Sequence, residues 1–190
     1  MIVPLSISTK NRKVAVLTPH ETDLLLDTMT IENKIRANYL LETAMRISEA
    51  KYVQQHPECF RKENTTIFLP MVEGMGKVKC TIKNRPIQLS TRGIDAVEKF
   101  FAFKATLPSY QAMEQSIKIS GKNAGFDASV LTPKMWRKTM VSWLMAVFPE
   151  RQMQISFSCG HDYNTMRNHY LVYGWRKEDK NDMKERLDGW

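Results

Sequence analysis

Apolar residues recur every three or four positions along most of the chain, and one stretch alone departs from that rhythm. The first periodic segment opens at Thr18-Pro19, a capping residue ahead of a proline suited to the first helical position. Glu21 falls in its first turn and Leu24, Leu25 and Leu26 follow, which predicts a short helix over about 18–28. Ile35, Tyr39, Leu40, Ala44, Ile47 and Val53 keep helical spacing and predict a single second helix over roughly 31–53, stopped by His56-Pro57. The rhythm then changes. Thr65-Thr66-Ile67-Phe68-Leu69 is rich in β-branched and aromatic residues, and Ile82 to Leu89 alternates in part. Two antiparallel strands are predicted there, joined by a Gly-containing basic turn over 73–79.

From Thr91 onward the pattern is helical again. Helices are predicted near 91–104, 109–120, 132–147, 149–157 and 162–173, with Pro108, Gly121, Gly125, Pro133 and Gly160 as punctuation. Trp136, Met140, Trp143, Leu144 and Val147 form one apolar stripe, which reads as a buried helix face. Residues 1–13 are polar with little to bury and read as part of a leader over 1–15. A domain over 16–175 follows, and then a charged tail over 176–190 that ends in Trp190. The tail is compatible with a frayed end or a docking segment, and the pattern leaves both open. The fold class expected is α+β, mostly α, with a small antiparallel hairpin or sheet; eight glycines and eight prolines are too few for an all-β chain of many tight turns.

Composition narrows the function. The 190 residues are 43% apolar, enough for one core and hardly for two. No apolar run approaches the ~20 residues that cross a bilayer, and the basic residues near the N-terminus follow the short apolar stretch, the reverse of a secretory signal. Cys59, Cys80 and Cys159 are odd in number and lack CxxC spacing, which argues against a disulfide framework and a zinc ribbon; a reducing cytoplasm is the expected setting. No Gly-rich nucleotide loop or carboxylate metal cluster stands out, so no cofactor is expected. The net charge of +8 points to a polyanionic partner, nucleic acid first.

Four segments carry the candidate chemistry: Ala44-Met45-Arg46-Ile47-Ser48-Glu49; the hairpin ending Lys83-Asn84-Arg85-Pro86-Ile87-Gln88-Leu89; Leu131-Thr132-Pro133-Lys134-Met135-Trp136-Arg137-Lys138-Thr139; and Cys159-Gly160-His161 with His169-Tyr170 downstream. Together they resemble the catalytic domain of the tyrosine recombinase, or phage integrase, family. The first is similar to that family's Gly-x-Arg-x-Ser-Glu segment and the second to its basic turn and following strand. The third resembles its Pro-His-x-x-Arg-x-Thr box, and the fourth its Leu-Gly-His with a tyrosine nine positions on. Val16-Leu17-Thr18-Pro19 resembles the usual start of the domain, so the likeness covers roughly 16–173. Lys134 stands where the box usually has His, and Cys159 where Leu precedes Gly-His, which marks a divergent member, in keeping with a virus or mobile element of an archaeal or bacterial host.

Cleaving a phosphodiester without a metal needs a nucleophile, cations on the non-bridging oxygens and an acid for the leaving oxygen. Arginine suits the clamp because its planar fork matches a phosphate and keeps its charge. Arg46 and Arg137 are the candidates; the bland alternative for each is a surface arginine or a salt bridge to a residue such as Glu49. Lys134 lies three residues before Arg137, on the same helical face, able to donate to the same phosphate but a poor base. The resemblance implies that His161 donates to a non-bridging oxygen and that Tyr170 attacks phosphorus to give a 3′-phosphotyrosyl link. Tyr173 and Tyr163 are the rival nucleophiles, and His169 reads as a neighbour. It also implies a leaving-group acid from the hairpin, where Lys79 fits best after a one-residue gap, ahead of Lys77, with Lys83 nearby. Lys118, Lys122 and Lys138 are further phosphate grips or plain solvated lysines.

The function expected is that of a site-specific DNA recombinase domain. Its partner would be double-stranded DNA, on which four copies assemble as a homo-tetramer, the chain being weakly associated or monomeric without DNA, with no membrane partner. The family's usual N-terminal DNA-gripping domain has no counterpart in this sequence, which reads either as the catalytic part of a longer protein or as a minimal integrase. The competing classes are a DNA-binding module of the same fold that lacks the reaction, and a type IB topoisomerase-like nicking and closing enzyme.

Overall fold

The computed structural model describes residues 1–9, 12–70, 84–160 and 174–190. It opens with a hairpin of β1 (Leu5–Thr9) and β2 (Arg12–Val16), in which Leu5 faces Val16 and Ile7 faces Val14. Helices α1 (Pro19–Asp27), α2 (Ile31–Thr43) and α3 (Ile47–Gln55) follow. A three-stranded antiparallel sheet then forms from β3 (Phe60–Arg61), β4 (Thr66–Leu69) and β5 (Arg85–Gln88), with β4 in the middle. The remaining described helices are α4 (Thr91–Ala102), α5 (Tyr110–Asn123), α6 (Lys134–Val147), α7 (Gln152–Cys159) and α8 (Lys177–Arg186). The predominantly helical α+β class read from the sequence is the class observed. Predicted features over 73–79 and 162–173, and the first part of the strand over 82–89, lie outside the described residues.

The first helix starts where Thr18-Pro19 places it, and serine hydroxyls cap two later ones. Thr18 accepts from the Glu21 backbone N–H while the Glu21 carboxylate accepts from the Thr18 N–H, and the Ser90 and Ser109 hydroxyls cap α4 and α5. The core is built on α6, whose Trp136, Met140, Trp143 and Leu144 are buried as the apolar stripe predicts, with Val147 partly so. Tyr39 of α2 stacks on Phe100 of α4 at 4.0 Å between ring centroids, which joins the first half of the chain to the middle.

Three expectations are corrected. Residues 1–13, read as polar and with little to bury, enter the fold. Pro4 is buried, and the Ile2 N–H donates to the Gly125 carbonyl at 2.7 Å. Val14, Ala15 and Val16 of β2 are then buried along α6, where the Leu17 N–H donates to Thr139 and Trp143 donates to the Leu17 carbonyl. The single helix over 31–53 is two helices. Ala44 turns left-handed (φ 49°) and Arg46 is extended (φ −68°, ψ 151°), so the chain breaks and restarts. Helical spacing alone could not show this break, because tertiary hydrogen bonds to the freed backbone groups stabilise it. Gly121 does not end its helix: α5 continues to Asn123, and the glycine is there for contact, since a Cβ would lie 2.2 Å from Leu131 Cδ1.

The open question of the tail is resolved for its described part. Met183 and Leu187 are buried, and Arg186 pairs with Asp23 of α1 and lies 5.6 Å from the Trp143 ring centroid. Trp190 donates to the Gln88 carbonyl at 3.1 Å and stacks on Phe148. Residues 177–190 are a docking segment seated on their own chain.

Under that segment Glu42 of α2 is buried, and one of its carboxyl oxygens has no hydrogen-bond partner. Burial pushes its pKa up to about 7, against the opposing pull of Arg92 on α4 and Arg186 on α8, while Asp23 and Asp95 add to the rise. A carboxyl that holds its proton in the folded state but loses it at lower pH when unfolded costs stability as pH climbs from its ordinary range to its folded value. Glu42→Gln is therefore expected to be stabilising near pH 8, by at most about 3 kcal/mol, and near neutral in effect at pH 4. Urea unfolding across that range measures it, and an equal effect at both pH values would contradict the burial account.

Candidate active site

Three arginines from distant segments meet at one carboxylate. Arg46 precedes α3, Arg85 opens β5 and Arg137 lies on the second turn of α6. Glu49, on the first turn of α3, accepts from Arg46 Nη1 at 2.7 Å and from the Arg46 backbone N–H at 2.8 Å. Its Oε1 also sits 2.8 Å from Arg85 Nη2, and its Oε2 is 3.8 Å from Arg137 Nη1. Burial alone would push the Glu49 carboxyl up; the guanidiniums of Arg137, Arg85 and Arg46, with the Arg46 N–H, outweigh it and hold the group below the ordinary carboxylate value.

The same arginines bind the end of α7. Arg85 Nε donates to the Ser158 carbonyl at 3.1 Å, Arg137 Nη2 to the Cys159 carbonyl, and Arg46 Nη2 to the Gly160 carbonyl at 2.8 Å. A helix C-terminus leaves such carbonyls without partners and carries partial negative charge, so three cations there satisfy both. Arg137 also donates to the Ala44 carbonyl at 2.5 Å, which stabilises the break between α2 and α3. Gly160 is left-handed (φ 61°), and a Cβ on it would lie 2.7 Å from Arg85 Cζ. Cys159 is buried, its thiol pushed up by burial, and it fills an apolar position as a small hydrophobe.

In front of this assembly lies a cleft of about 420 Å³ that Arg46, Lys134, Arg137 and Lys138 share with Met45 and Tyr110. The structure thus brings together three of the six residues read as catalytic: Arg46, Lys134 and Arg137. Lys134 and Arg137, three apart on α6, face one cleft as their spacing predicts. Arg46 is ion-paired to Glu49, and its side chain is still 43% exposed at the cleft. Lys138 lines the cleft as well, and its pKa is pushed down by burial and then by Lys134 and Arg137. Lys118 and Lys122 do not line it, and Lys118 pairs with Glu114 at 2.6 Å. The other three catalytic candidates, Lys79, His161 and Tyr170, lie outside the described residues, as do Lys77, Lys83, Tyr163, His169 and Tyr173. Gly160 is the last described residue before His161. Among the described residues no group of three or more His, Cys, Asp or Glu could hold a metal ion, and no helix is long and apolar enough to cross a membrane.

Arg85 was passed over in the sequence as a site residue. Its signal was the strand alternation itself: Arg85 shares the inward face of β5 with Ile87, so a charged side chain sits at a position that calls for an apolar one.

This arrangement of helices and small sheets is a fold shared with solved tyrosine recombinases. The XerH site-specific recombinase, solved bound to its difH substrate in a pre-cleavage complex, superposes with a TM-score of 0.61 at 19% identity, over 88% of this chain and 53% of that one. XerA recombinase matches with a TM-score of 0.59 at 14% identity, over 95% of this chain and 66% of that one. The Tn1549 transposon integrase, in complex with transposon right end DNA, matches with a TM-score of 0.66 at 16% identity, over 95% and 68%. The chain spans about half the length of XerH and two thirds of the others. No family model and no curated protein sequence matches this chain.

Substitutions at Gly160 and Glu49 test the local physics. Gly160→Ala combines left-handed backbone with a clash against Arg85 and is expected to cost about 2 kcal/mol or more in urea unfolding. Gly160→Asn, which tolerates the backbone but not the clash, should do no better; full recovery with Asn would place the constraint in φ alone. Glu49, held below the ordinary carboxylate value, contributes its stability in full above that range and loses it as pH falls through its lowered value. Glu49→Gln should accordingly flatten the fall in Tm between about pH 6 and 3.

Proposed function

We propose that this chain is the catalytic domain of a site-specific DNA recombinase or integrase that cleaves and rejoins DNA strands through a 3′-phosphotyrosyl intermediate. The observation that supports the reading best is the convergence of Arg46, Lys134, Arg137 and Lys138 on one cleft from the start of α3 and the face of α6, the two arginines braced from behind. A cleft that concentrates cations, with no acidic side chain among the described residues that line it, suits a phosphodiester. The fold shared with XerH, XerA and the Tn1549 integrase agrees with it.

In this mechanism Arg46 and Arg137 hold the non-bridging oxygens and offset the charge that builds on them in the transition state. Lys134 adds a third donor where a histidine is more usual. His161, immediately after Gly160, donates to the same oxygens. The Tyr170 oxygen attacks phosphorus as its proton passes to a neighbouring base. The bond from phosphorus to the 5′ oxygen breaks, and Lys79 returns a proton to that oxygen, leaving a 5′-hydroxyl and a covalent 3′ link. Attack by a 5′-hydroxyl of another strand reverses the steps and joins the strands. Double-stranded DNA is the proposed partner, with four copies assembled on two sites, and mobile-element DNA the natural context.

Selection from a pool of randomised nicked duplexes for covalent, detergent-resistant capture, in the presence of EDTA, tests the reading. The expected product is a protein–DNA adduct whose modified peptide contains Tyr170. Tyr170→Phe should abolish it, and Arg137→Ala should slow it roughly 10²- to 10³-fold. An adduct that survives Tyr170→Phe, or that EDTA prevents, sinks the mechanism. Binding of duplex without any adduct favours a non-catalytic module, and relaxation of supercoiled plasmid without site preference favours a topoisomerase-like enzyme.

A further inference from the structure

Arg85 stands behind the cleft and does not line it; its side chain is 9% exposed. A buried arginine that only filled space would be an expensive choice, since an apolar side chain of similar volume often does as well or better. Its contacts are specific. Nη2 meets Glu49 Oε1 at 2.8 Å, Nε donates to the Ser158 carbonyl at 3.1 Å, and the guanidinium lies against Gly160 where a Cβ cannot fit. Glu49 Oε1 is thereby shared between Arg46, which reaches the cleft, and Arg85, which does not.

That sharing has an electrostatic consequence. One carboxylate faces three guanidiniums, and the positive charge of Arg85 offsets part of its field at the other two. Without Arg85 the whole of it would fall on Arg46 and Arg137, drawing both toward Glu49 and away from any anion in front of them. The 3.8 Å gap between Arg137 Nη1 and Glu49 Oε2 is the distance that would close. From this geometry we infer that Arg85 is a positioning residue: by taking up part of the Glu49 charge, it lets Arg46 and Arg137 direct theirs to an anion in the cleft. The inference rests on the recombinase reading only for the identity of that anion as a DNA phosphate.

Inorganic phosphate is the probe, titrated into the whole chain while the guanidinium ¹⁵N signals of Arg46 and Arg137 are followed by NMR. Wild type should show saturable shifts of both. Arg85→Met should weaken the apparent affinity roughly fivefold or more, and Arg85→Lys should recover part of it. The decisive comparison repeats Arg85→Met in a Glu49→Gln background. With no carboxylate charge to offset, the substitution should then change phosphate affinity by less than roughly twofold. Arg85→Gln serves the same comparison if the methionine variant fails to fold. Unchanged affinity in a folded Arg85 variant overturns the inference, and so does an equal loss in both backgrounds, which would mark a packing role. The two readings fail separately. If wild type forms no covalent adduct while the phosphate results hold, the recombinase reading falls and Arg85 keeps its role; adduct formation with a phosphate affinity blind to Arg85 does the reverse.

Discussion

A carboxylate buried among apolar side chains is tolerable only if cations and donors surround it, and Glu49 meets that requirement by drawing together parts of the chain that are far apart in sequence. Arg46 comes from the restart after α2, Arg85 from the central sheet and Arg137 from the core helix α6. The same three side chains then close off the carbonyls of Ser158, Cys159 and Gly160. Each arginine is therefore held at both ends of its guanidinium, by a carboxylate on one side and a helix terminus on the other. A cationic cleft built on side chains fixed in this way is preorganised for an anion.

The break between α2 and α3 belongs to the same arrangement. A continuous helix over 31–53 would point Arg46 along a regular face and leave its backbone N–H inside the helical ladder. Turning Ala44 left-handed frees that N–H for Glu49 and the Ala44 carbonyl for Arg137. The strained residue is thus surrounded by the two interactions that the site needs, and the local cost is met by hydrogen bonds to charged partners. The seating of α8 on α1 and α6 has a similar logic at the other end of the chain: Arg186 is buried against Trp143, yet paired with Asp23.

Much of this was legible in the residues. Thr18-Pro19 announced its helix because a capping hydroxyl acts within three residues of itself. The stripe of Trp136, Met140, Trp143 and Leu144 announced the core, because burial follows helical period. Arg46 and Arg137 stood out by motif, and Lys134 by its spacing from Arg137. Arg85 lies in a matching segment too, but its role is set by Glu49 and the Ser158 carbonyl, partners that its own strand does not contain. The break at Ala44, the burial of β2 and the seating of α8 were not settled locally, because each also depends on a partner far along the chain: Arg137 for Ala44, Thr139 for Leu17 and Asp23 for Arg186.

By itself, the sequence determined the helical majority, the start of α1, the core face of α6, the basic surplus and the motifs that resemble a recombinase, since all of these are set by neighbours along the chain. Only the tertiary structure decided that the arginines share one carboxylate, that Gly160 must lack a side chain because Arg85 occupies that space, and that the charged tail belongs to the body of its own chain. Those are matters of which charges are buried together, and burial exists only once the chain has folded.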